Sequence, residues 1–514
     1  MFAYIARRLG VLVVILFGSS FILYNLAAVA GDPTEELRFD TSPEAKQQLI
    51  ALTRDLQLNV PPPLRYFIWL RGVLGLFIGQ PDFGDTRTAQ SVTDALSAAI
   101  PVTIRLVIMA TIIAILLGIT IGIATALRQY SRFDYSMTFV SFLFFSLPIF
   151  WVAVLLKQYL AIEFNNFLYE AKVSNPWLIG LAIFTGLFWA SILGGDRRRV
   201  WTTFGVASVM SAGLLFFLSS SGWFQDPFMG PIGVAVFGTI AAFAITHLSM
   251  GLSNRRALHI SLGMVALGTV IWFPAQSFLN ADQTWLHMLG LGATTIAVGL
   301  GSGYFFSKVD RGAVMRTSTI TAFVVALLIV IDKLFQTFRP YSVTDAVNYR
   351  PVPTMGEVNP LLESTDFWIN FLDALTHLFL PTLALLLISF AGYVRFSRGT
   401  LLEVLNQDYI RTARAKGLPE RTVIMRHAFR NTMIPIATIM VVDFAGVIGG
   451  AIITEQVFGW YGMGTLFNQA IGNFDLNLLM GVFFVTATMA LMANLVADLL
   501  YSALDPRVRV GAGK

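Results

Sequence analysis

The sequence contains no cysteine and few charged residues. Only 13% of its 514 residues are Asp, Glu, Lys or Arg, whereas an ordinary soluble domain has about 25%. The absence of thiols excludes disulfide bonds and thiolate metal sites. The low charge, together with 56% hydrophobic residues and a mean hydropathy of +0.69, excludes an ordinary soluble chain and predicts a membrane protein.

Motifs for catalysis are missing as well. Because there is no G-x-x-x-x-G-K-[ST] phosphate loop, this chain is not expected to bind and hydrolyse ATP itself. The five His residues are scattered, and no H-E-x-x-H is present, so we predict no catalytic residue, no metal ligand and no cofactor bound by the chain. His377 is expected to be a hydrogen-bonded interfacial residue, and "GLGSG" at 299–303 is expected to be a helix-packing motif.

Long apolar runs dominate what is present. A run of about 20 apolar residues can cross a hydrocarbon core about 30 Å thick. The first run, 9–30, is longer than the core of a signal peptide, which has about 7–15 residues, so we interpret it as a retained span followed by an external segment at 31–99. Twelve spans are predicted, at 9–30, 101–127, 135–160, 177–193, 201–220, 229–250, 258–275, 285–306, 318–335, 371–394, 433–454 and 478–503.

The charges of the linkers predict the orientation. The linkers at 194–200, 253–259 and 307–316 are rich in Arg and Lys, whereas the two linkers between them, "SSSGWFQDPFMGP" and "PAQSFLNADQTW", carry neither residue. The positive-inside rule places the basic linkers, and therefore both termini, in the cytoplasm. The same bias explains the net charge of +5, so no nucleic-acid partner is expected.

The densest basic segment is "DYIRTARAKGLPERTVIMRHAFRNTMIPI", with six Lys or Arg and two carboxylates. Its pattern predicts two short helices in a cytoplasmic loop at 396–432, the first capped at Gly417 and the second beginning near Pro419. Such a pair is suited to docking a cytoplasmic partner. Alternatively, its arginines act only as topology determinants or contact lipid headgroups.

This segment resembles the cytoplasmic signature of binding-protein-dependent ABC importer permeases of the dipeptide, oligopeptide and nickel group. The segments "YIARRLGVLVVILFGSSFILYNLAAVAGDP", "AAIPVTIRLVIMATIIAILLGITIGIATALRQYSRFD", "GGAIITEQVFGWYGMGTLFNQAI" and "NLVADLLYSALDPRVR" resemble the B-type permease subunit of these systems. Together the similar regions cover about three fifths of the chain, residues 1–165 and 366–514.

The resemblance implies an all-α polytopic membrane protein of about twelve transmembrane helices. Six of them form a type I ABC importer permease core, divided into residues 1–165 and 366–514, and six lie in an inserted block at 166–365. The implied location is the bacterial plasma (inner) membrane. The inserted block is expected to be a peripheral annex, or alternatively a docking site for a binding protein or another membrane partner.

The implied function is ATP-driven import of dipeptides or oligopeptides by alternating access. The implied partners are a second permease subunit, expected to form a heterodimer with this chain, cytoplasmic ABC ATPase subunits that use ATP, an external solute-binding protein and the lipid bilayer. Import of nickel or oligosaccharides is an alternative. An ion-coupled twelve-span secondary transporter is another, although no clear repeat and few intramembrane ionisable groups support it. A third is a membrane scaffold that transports nothing.

The resemblance also implies the site residues. In the family, helices of this loop contact the ATPase and transmit its closure to the spans. The family signature begins Glu-Ala-Ala, and alignment on Gly417 places Arg411, Thr412 and Ala413 at that triplet, so only Ala413 agrees; Ala413 and Gly417 are expected at the closest contact. The coupling residues are predicted to be Asp408, Tyr409, Arg411, Thr412, Ala413, Arg414, Gly417 and Leu418. The translocation path is predicted to include Asp443, Gly446, Gly449, Gly450 and Glu455.

Overall fold

The computed structural model describes residues 2–40, 42–307 and 310–504. Within those ranges the chain folds into 21 α-helices with two π-helical segments and one 3₁₀ segment, and an isolated bridge joins Asp85 to Ser91. The prediction of an all-helical membrane protein is confirmed.

The N-terminal part contains two long helices, α1 and α5, and a series of shorter ones. Its helices are α1 Phe2–Ala30, α2 Glu35–Phe39, α3 Pro43–Asp55, α4 Pro62–Leu74, α5 Val92–Leu127, α6 Arg132–Ser146, α7 Ile149–Leu156 and α8 Phe164–Glu170, with a 3₁₀ segment at Gly75–Ile78 and a π-helix at Lys157–Glu163. Tyr66 and Trp69 of α4 are buried in a cluster that includes Tyr24 of α1, so this part of the predicted external segment packs onto the helical core.

The predicted inserted block contains six long helices, each coinciding with a predicted span. They are α9 Asn175–Leu193, α10 Arg197–Ser220, α11 Gly230–Ser249, α12 Arg255–Leu279, α13 Trp285–Phe306 and α14 Arg311–Ser342. The helices α9 and α10 form a hairpin that contacts α6, whereas α11, α12 and α13 surround α14, which packs against the next long helix, α15.

The C-terminal part contains three long helices joined by short ones. They are α15 Phe367–Leu405, α16 Asp408–Ala415, α17 Glu420–Thr422, a π-helix at Val423–Ala428, α18 Phe429–Gly450, α19 Ile452–Phe458, α20 Met463–Gly472 and α21 Leu476–Leu504. The long helices run back and forth between two faces. We call the face that carries the linkers 128–132, 194–200, 253–259 and 406–419 the basic face, and the other the opposite face.

The number of spans is smaller than predicted. Ten helices in the described ranges are long and apolar enough to cross a membrane, or eleven if one bent pair counts as a single span. That pair is the predicted third span, which bends by 102° between Arg132–Ser146 and Ile149–Glu170. The helix breaks at Leu147, whose backbone is extended. The next residue is Pro148, and the ring of a proline disfavours helical backbone at the residue before it. The predicted span 433–454 coincides with α18, which is not among the candidates; side chains at 442 and 444–450 lie outside the described residues.

Glycines bring some helices into close contact. A Cβ atom at Gly118 or Gly122 of α5 would overlap Tyr393 or Ser397 of α15. In the predicted inserted block, a Cβ atom at Gly299 or Gly303 would overlap the α14 backbone. The prediction that "GLGSG" is a packing motif is therefore confirmed.

Candidate functional site: the basic loop and the adjacent cavity

The basic loop between α15 and α18 differs from the predicted pair of short helices. Helix α15 continues to Leu405, well past position 396 where the loop was predicted to begin. A separate helix, α16, follows, but α17, the π-helix and α18 run on without interruption from Glu420. The predicted second helix is therefore the beginning of α18, because no glycine interrupts the segment that follows Pro419.

Gly417 ends α16 as predicted. Its φ of +71° lies in the left-handed region, which glycine adopts without strain from a Cβ atom. The Gly417 N–H donates to the Arg414 carbonyl at 2.9 Å. No atom lies within 4 Å of where a Cβ would stand, so Gly417 remains accessible to a partner.

The inner face of α16 joins three long helices. Ile410 and Ala413 are buried in a cluster with Ala126 of α5, Leu401 of α15 and Val423 of the π-helix that leads into α18. The inner face of α16 is therefore in direct apolar contact with the ends of these helices. Ala413, with 6% of its surface exposed, is occupied by this internal packing, and its side chain is not at a surface where a partner approaches.

The outer face of α16 is solvent-exposed, charged and partly apolar. We define it as the predicted coupling residues Asp408, Tyr409, Arg411, Thr412, Arg414 and Leu418, all exposed, together with the adjacent Met425. Arg411 contacts Asp408 at 3.4 Å, and Arg414 contacts Glu420 at 2.6 Å. The hydrogen bond from Arg414 lowers the pKa of the Glu420 carboxyl group, so this ion pair persists at neutral pH.

Arg421 joins this loop to the predicted inserted block. Its Nη2 atom donates to the backbone carbonyls of Leu248 and Ser249, at 3.0 and 2.5 Å, at the C-terminus of α11. The last carbonyls of a helix lack partners within the helix and carry partial negative charge, so a guanidinium is a suitable donor there. This contact was not predicted, because more than 170 residues separate its partners in the chain.

A cavity of about 880 Å³ lies above the loop, between α5, α15 and α18. One stripe of α15 forms much of its wall, with residues three or four positions apart on one helical face: Leu385, Ser389, Gly392, Phe396, Gly399 and Glu403. Thr111 of α5 and Asp443 of α18 line the same space. The cavity therefore extends from the interior of the helical bundle to the basic face, and both polar and apolar side chains line it.

Asp443 is the predicted path residue that the structure places at this cavity. It is partly buried, next to the side chain of Tyr393. The surroundings of the predicted path residues Gly446, Gly449 and Gly450 lie outside the described residues, although all three belong to α18.

Glu455 has a different environment from the one that its sequence position suggested. Its side chain is fully buried. Its carboxylate accepts from Thr103 Oγ1 at 2.6 Å and from the Thr465 N–H at 2.9 Å, in the first turn of α20. Both oxygens are thus engaged in joining α5, α19 and α20, and neither faces the cavity. Thr103 was not predicted, because 352 residues separate it from Glu455.

The partly exposed Arg398 forms an ion pair with the buried Asp134, a contact that was not predicted. The guanidinium of Arg398 contacts both carboxylate oxygens of Asp134, at 2.8 and 3.0 Å, and joins α15 to the first turn of α6. Two parallel hydrogen bonds of this kind fix the relative position of two helices.

We also searched the described residues for a cluster of side chains that could bind a metal ion. Within them, no group of three or more His, Asp and Glu residues is placed to hold a metal ion. His377 is buried, and its Nδ1 lies 2.8 Å from the Asp373 carbonyl oxygen. Its predicted role as a hydrogen-bonded residue is confirmed.

The fold and the loop define a class: a multi-pass helical membrane protein with a basic helix exposed at one face. Residues 293–510 match the family of binding-protein-dependent transport system inner membrane components. The chain belongs to this family, which confirms the family resemblance found in the sequence. Proteins of this family are non-catalytic permeases of the inner membrane that act with a separate ATPase and a binding protein.

Several curated relatives are similar over part of their length. An oligopeptide transport system permease protein, OppB of Mycobacterium tuberculosis, is 39% identical over 198 residues, which are 38% of this chain and 58% of that protein. The dipeptide transport system permease protein DppB of Escherichia coli (strain K12) is 44% identical over 180 residues, 32% of this chain and 53% of that protein. A peptide permease protein of Brucella suis is 37% identical over 227 residues, 44% of this chain and 68% of that protein. The chain thus spans little more than half the length of the first two relatives.

Proposed function

We propose that this chain is the transmembrane permease subunit of an ATP-driven importer of dipeptides or oligopeptides. The similarity to peptide permeases supports the solute class. In this proposal the basic face is cytoplasmic, both termini lie there, and the partners are a second permease subunit, ABC ATPase subunits and an external binding protein.

The observation that supports this proposal best is the two-sided character of α16. Its outer face offers exposed apolar and cationic groups for docking, whereas its inner face, Ile410 and Ala413, packs against the ends of long helices. An ATPase that closes on nucleotide would move the outer face. Because the inner face is packed against α5, α15 and the start of α18, those helices would follow, which is the motion that alternating access requires.

The docking role predicts a specific effect of Leu418→Glu. The Leu418 side chain is 37% exposed at the end of α16, and a carboxylate there would be desolvated at a docked interface. We expect this variant to lose more than about tenfold in ATPase bound during purification and a similar factor in ATP-dependent peptide uptake by membrane vesicles.

The matched control is Leu252→Glu. Leu252 is also an exposed apolar residue on the basic face, 44% exposed, but it lies in the linker after α11. We expect it to retain ATPase and uptake. If Leu418→Glu retained both, or if the chain alone took up solute on an ion gradient without ATP, the secondary-transporter alternative would replace this proposal.

We further propose that the cavity beside α15 is part of the solute path and that Asp443 attracts the amino group of a peptide. An acidic group at membrane depth is costly unless it is paired or hydrated, and this cavity provides room for water or solute. Glu455 is not part of the proposed path, because its carboxylate is already engaged.

Asp443→Asn tests this role. A hydrogen bond to a charged group contributes about 1.5–3 kcal/mol, so uptake of a free dipeptide should fall about tenfold or more. Uptake of the same dipeptide with an acetylated amino group, if transported, should not change. Ser389→Ala, which alters the same cavity without removing charge, is the control. Equal losses for both dipeptides would indicate a general structural defect instead.

A further inference from the structure

A second cavity lies in the predicted inserted block, between α12 and α13. Both helices pack extensively on α14 but make little contact with each other. The space between them has a volume of about 850 Å³ and opens along the side of the block. We call it the α12–α13 groove; its walls are Arg255, Arg256, His259, Ile260, Gly263, Met264 and Leu267 of α12 and Val298, Ser302, Phe305 and Phe306 of α13.

The walls of the groove are apolar over the depth of one membrane leaflet. Ile260, Met264 and Leu267 follow one another along α12, and Val298, Phe305 and Phe306 line the groove from α13. Twelve residues separate Arg255 from Leu267, which corresponds to about 18 Å along an α-helix. Half of the hydrocarbon core measures about 15 Å. The groove therefore has the length of an acyl chain's path through the leaflet on the basic face.

The mouth of the groove is cationic. Arg255 and Arg256 are exposed at the N-terminus of α12, one turn from His259. Among the described residues, neither guanidinium has a carboxylate or hydrogen-bond partner. Unpartnered guanidinium groups at the membrane surface are well suited to bind phosphate, because their planar donors match its oxygens.

We propose that the α12–α13 groove binds an anionic phospholipid of the leaflet on the basic face. Its phosphate contacts Arg255, Arg256 and His259, and an acyl chain lies against Ile260, Met264 and the phenylalanines of α13. A soluble phosphate would use the mouth but leave the apolar walls uncovered. A zwitterionic phospholipid would use the walls but bring no net charge to the mouth.

The test is native mass spectrometry of the full chain in detergent micelles, with added dioleoyl phosphatidylglycerol or dioleoyl phosphatidylcholine. These lipids share their acyl chains and differ in headgroup charge. We expect the wild-type chain to retain one phosphatidylglycerol in preference to phosphatidylcholine. Arg255→Gln combined with Arg256→Gln should weaken that binding about thirtyfold, since each basic group near a membrane surface contributes about fivefold.

The control for charge is Arg197→Gln combined with Arg198→Gln. These arginines are also exposed on the basic face, at the start of α10, but they do not line the groove. The control removes the same charge and should leave phosphatidylglycerol binding unchanged. An equal loss in both double variants would show unspecific attraction to the basic face and overturn the proposal.

The acyl-chain site has its own variant, Gly263→Leu. No atom lies within 4 Å of a Cβ built at Gly263, so leucine enters the groove without meeting backbone, and both arginines remain. We expect at least a tenfold loss of phosphatidylglycerol. Gly292→Leu, in equally open space on α13 away from the groove, should retain the lipid.

Two further outcomes would overturn the proposal. Unchanged lipid binding by Gly263→Leu would mean that the acyl chain does not lie in the groove. Displacement of phosphatidylglycerol by millimolar inorganic phosphate, with binding of phosphate alone to the wild-type chain, would identify a site for a soluble anion. Thermal unfolding of each variant shows whether it is folded.

Discussion

The predicted permease core and the predicted inserted block use buried polar groups differently. In the core, such groups join segments that are far apart in sequence, as Thr103 with Glu455 and Arg398 with Asp134 do. In the inserted block the largest buried network is centred on Asp332, whose partners all lie within the block. In the core these groups thus join distant parts of the chain, whereas the Asp332 network holds α11, α12 and α14 together and leaves out α9 and α10, which pack against each other and α6.

The Asp332 network joins three helices. Its Oδ1 accepts from the N–H groups of Met229 and Gly230, at 2.9 and 2.7 Å, where α11 begins. Its Oδ2 accepts from Trp272 Nε1 of α12 and Gln336 Nε2 of α14, both at 2.8 Å. The side chain is fully buried. The carboxylate compensates the partial positive charge of the N–H groups at the start of α11, and its other hydrogen bonds hold α12 and α14 beside that end.

The contacts between the core and the inserted block are also unequal at the two faces. Near the opposite face, Tyr341 donates to Asp373 at 2.9 Å, Trp368 Nε1 donates to the Leu279 carbonyl at 2.7 Å, and Glu357 pairs with Arg105 at 3.1 Å. At the basic face, Arg421 contacts the end of α11. The block is therefore anchored by several contacts at the opposite face and contacts the basic loop through the exposed Arg421.

The largest expected effect is that of Asp332→Ala. The substitution leaves four partly buried donors without their acceptor, and an unsatisfied buried group costs about 1–3 kcal/mol. We expect the free energy of unfolding to fall by at least about 3 kcal/mol, measured by denaturant unfolding in detergent micelles. Asp226→Asn breaks the exposed ion pair with Arg339 in the same block and should change stability by less than about 0.5 kcal/mol. A small effect of Asp332→Ala would contradict the view that this residue holds α11, α12 and α14 together.

An intermediate effect is expected for Gly118→Leu in the core. Leucine would overlap Tyr393 and the Phe390 carbonyl of α15, and overpacking costs about 1–3 kcal/mol. Gly180→Leu in α9 is the matched change in the inserted block, where no atom lies within 4 Å of a built Cβ, and it should be nearly neutral. The same unfolding measurement compares them. Equal losses would indicate that α9 packs as tightly as α5 does, against the difference drawn between the two regions.

Much of the fold was predictable because each long helix leaves a local signal. Apolar length, basic linkers and glycine spacing identified the six helices of the block, the packing role of Gly299 and the capping role of Gly417. Ala413 was predicted at a close contact with a partner, and the structure buries it in internal packing; a small residue suits both kinds of contact equally well, so sequence cannot distinguish them. Thr103 lies 352 residues from Glu455, Trp272 lies 60 residues from Asp332 and Leu248 lies 173 residues from Arg421, and no local pattern encodes such pairings.

The smallest effect on stability is expected for Arg421→Gln. Its hydrogen bonds to Leu248 and Ser249 are exposed, so their loss should cost less than about 1 kcal/mol. The more informative consequence of this substitution concerns the position of the basic loop relative to α11. Because the chain has no cysteine, spin labels placed at Leu252→Cys and Lys416→Cys report the distance between the end of α11 and the basic loop without interference from other thiols. We expect a narrow distance distribution in the parent chain and a broader one after Arg421→Gln.

Arg426→Gln is the control for that measurement, since it removes the same charge from the same segment, and Arg426 makes no hydrogen bond or ion pair within the described residues. It should leave the distribution narrow. If Arg421→Gln also left it narrow, other contacts would hold the loop to α11. If instead the distribution broadened and peptide uptake fell while ATPase binding persisted, the contact would serve transmission and not docking. The predicted inserted block would then take part in coupling through one exposed arginine, although its buried polar network is separate from that of the core.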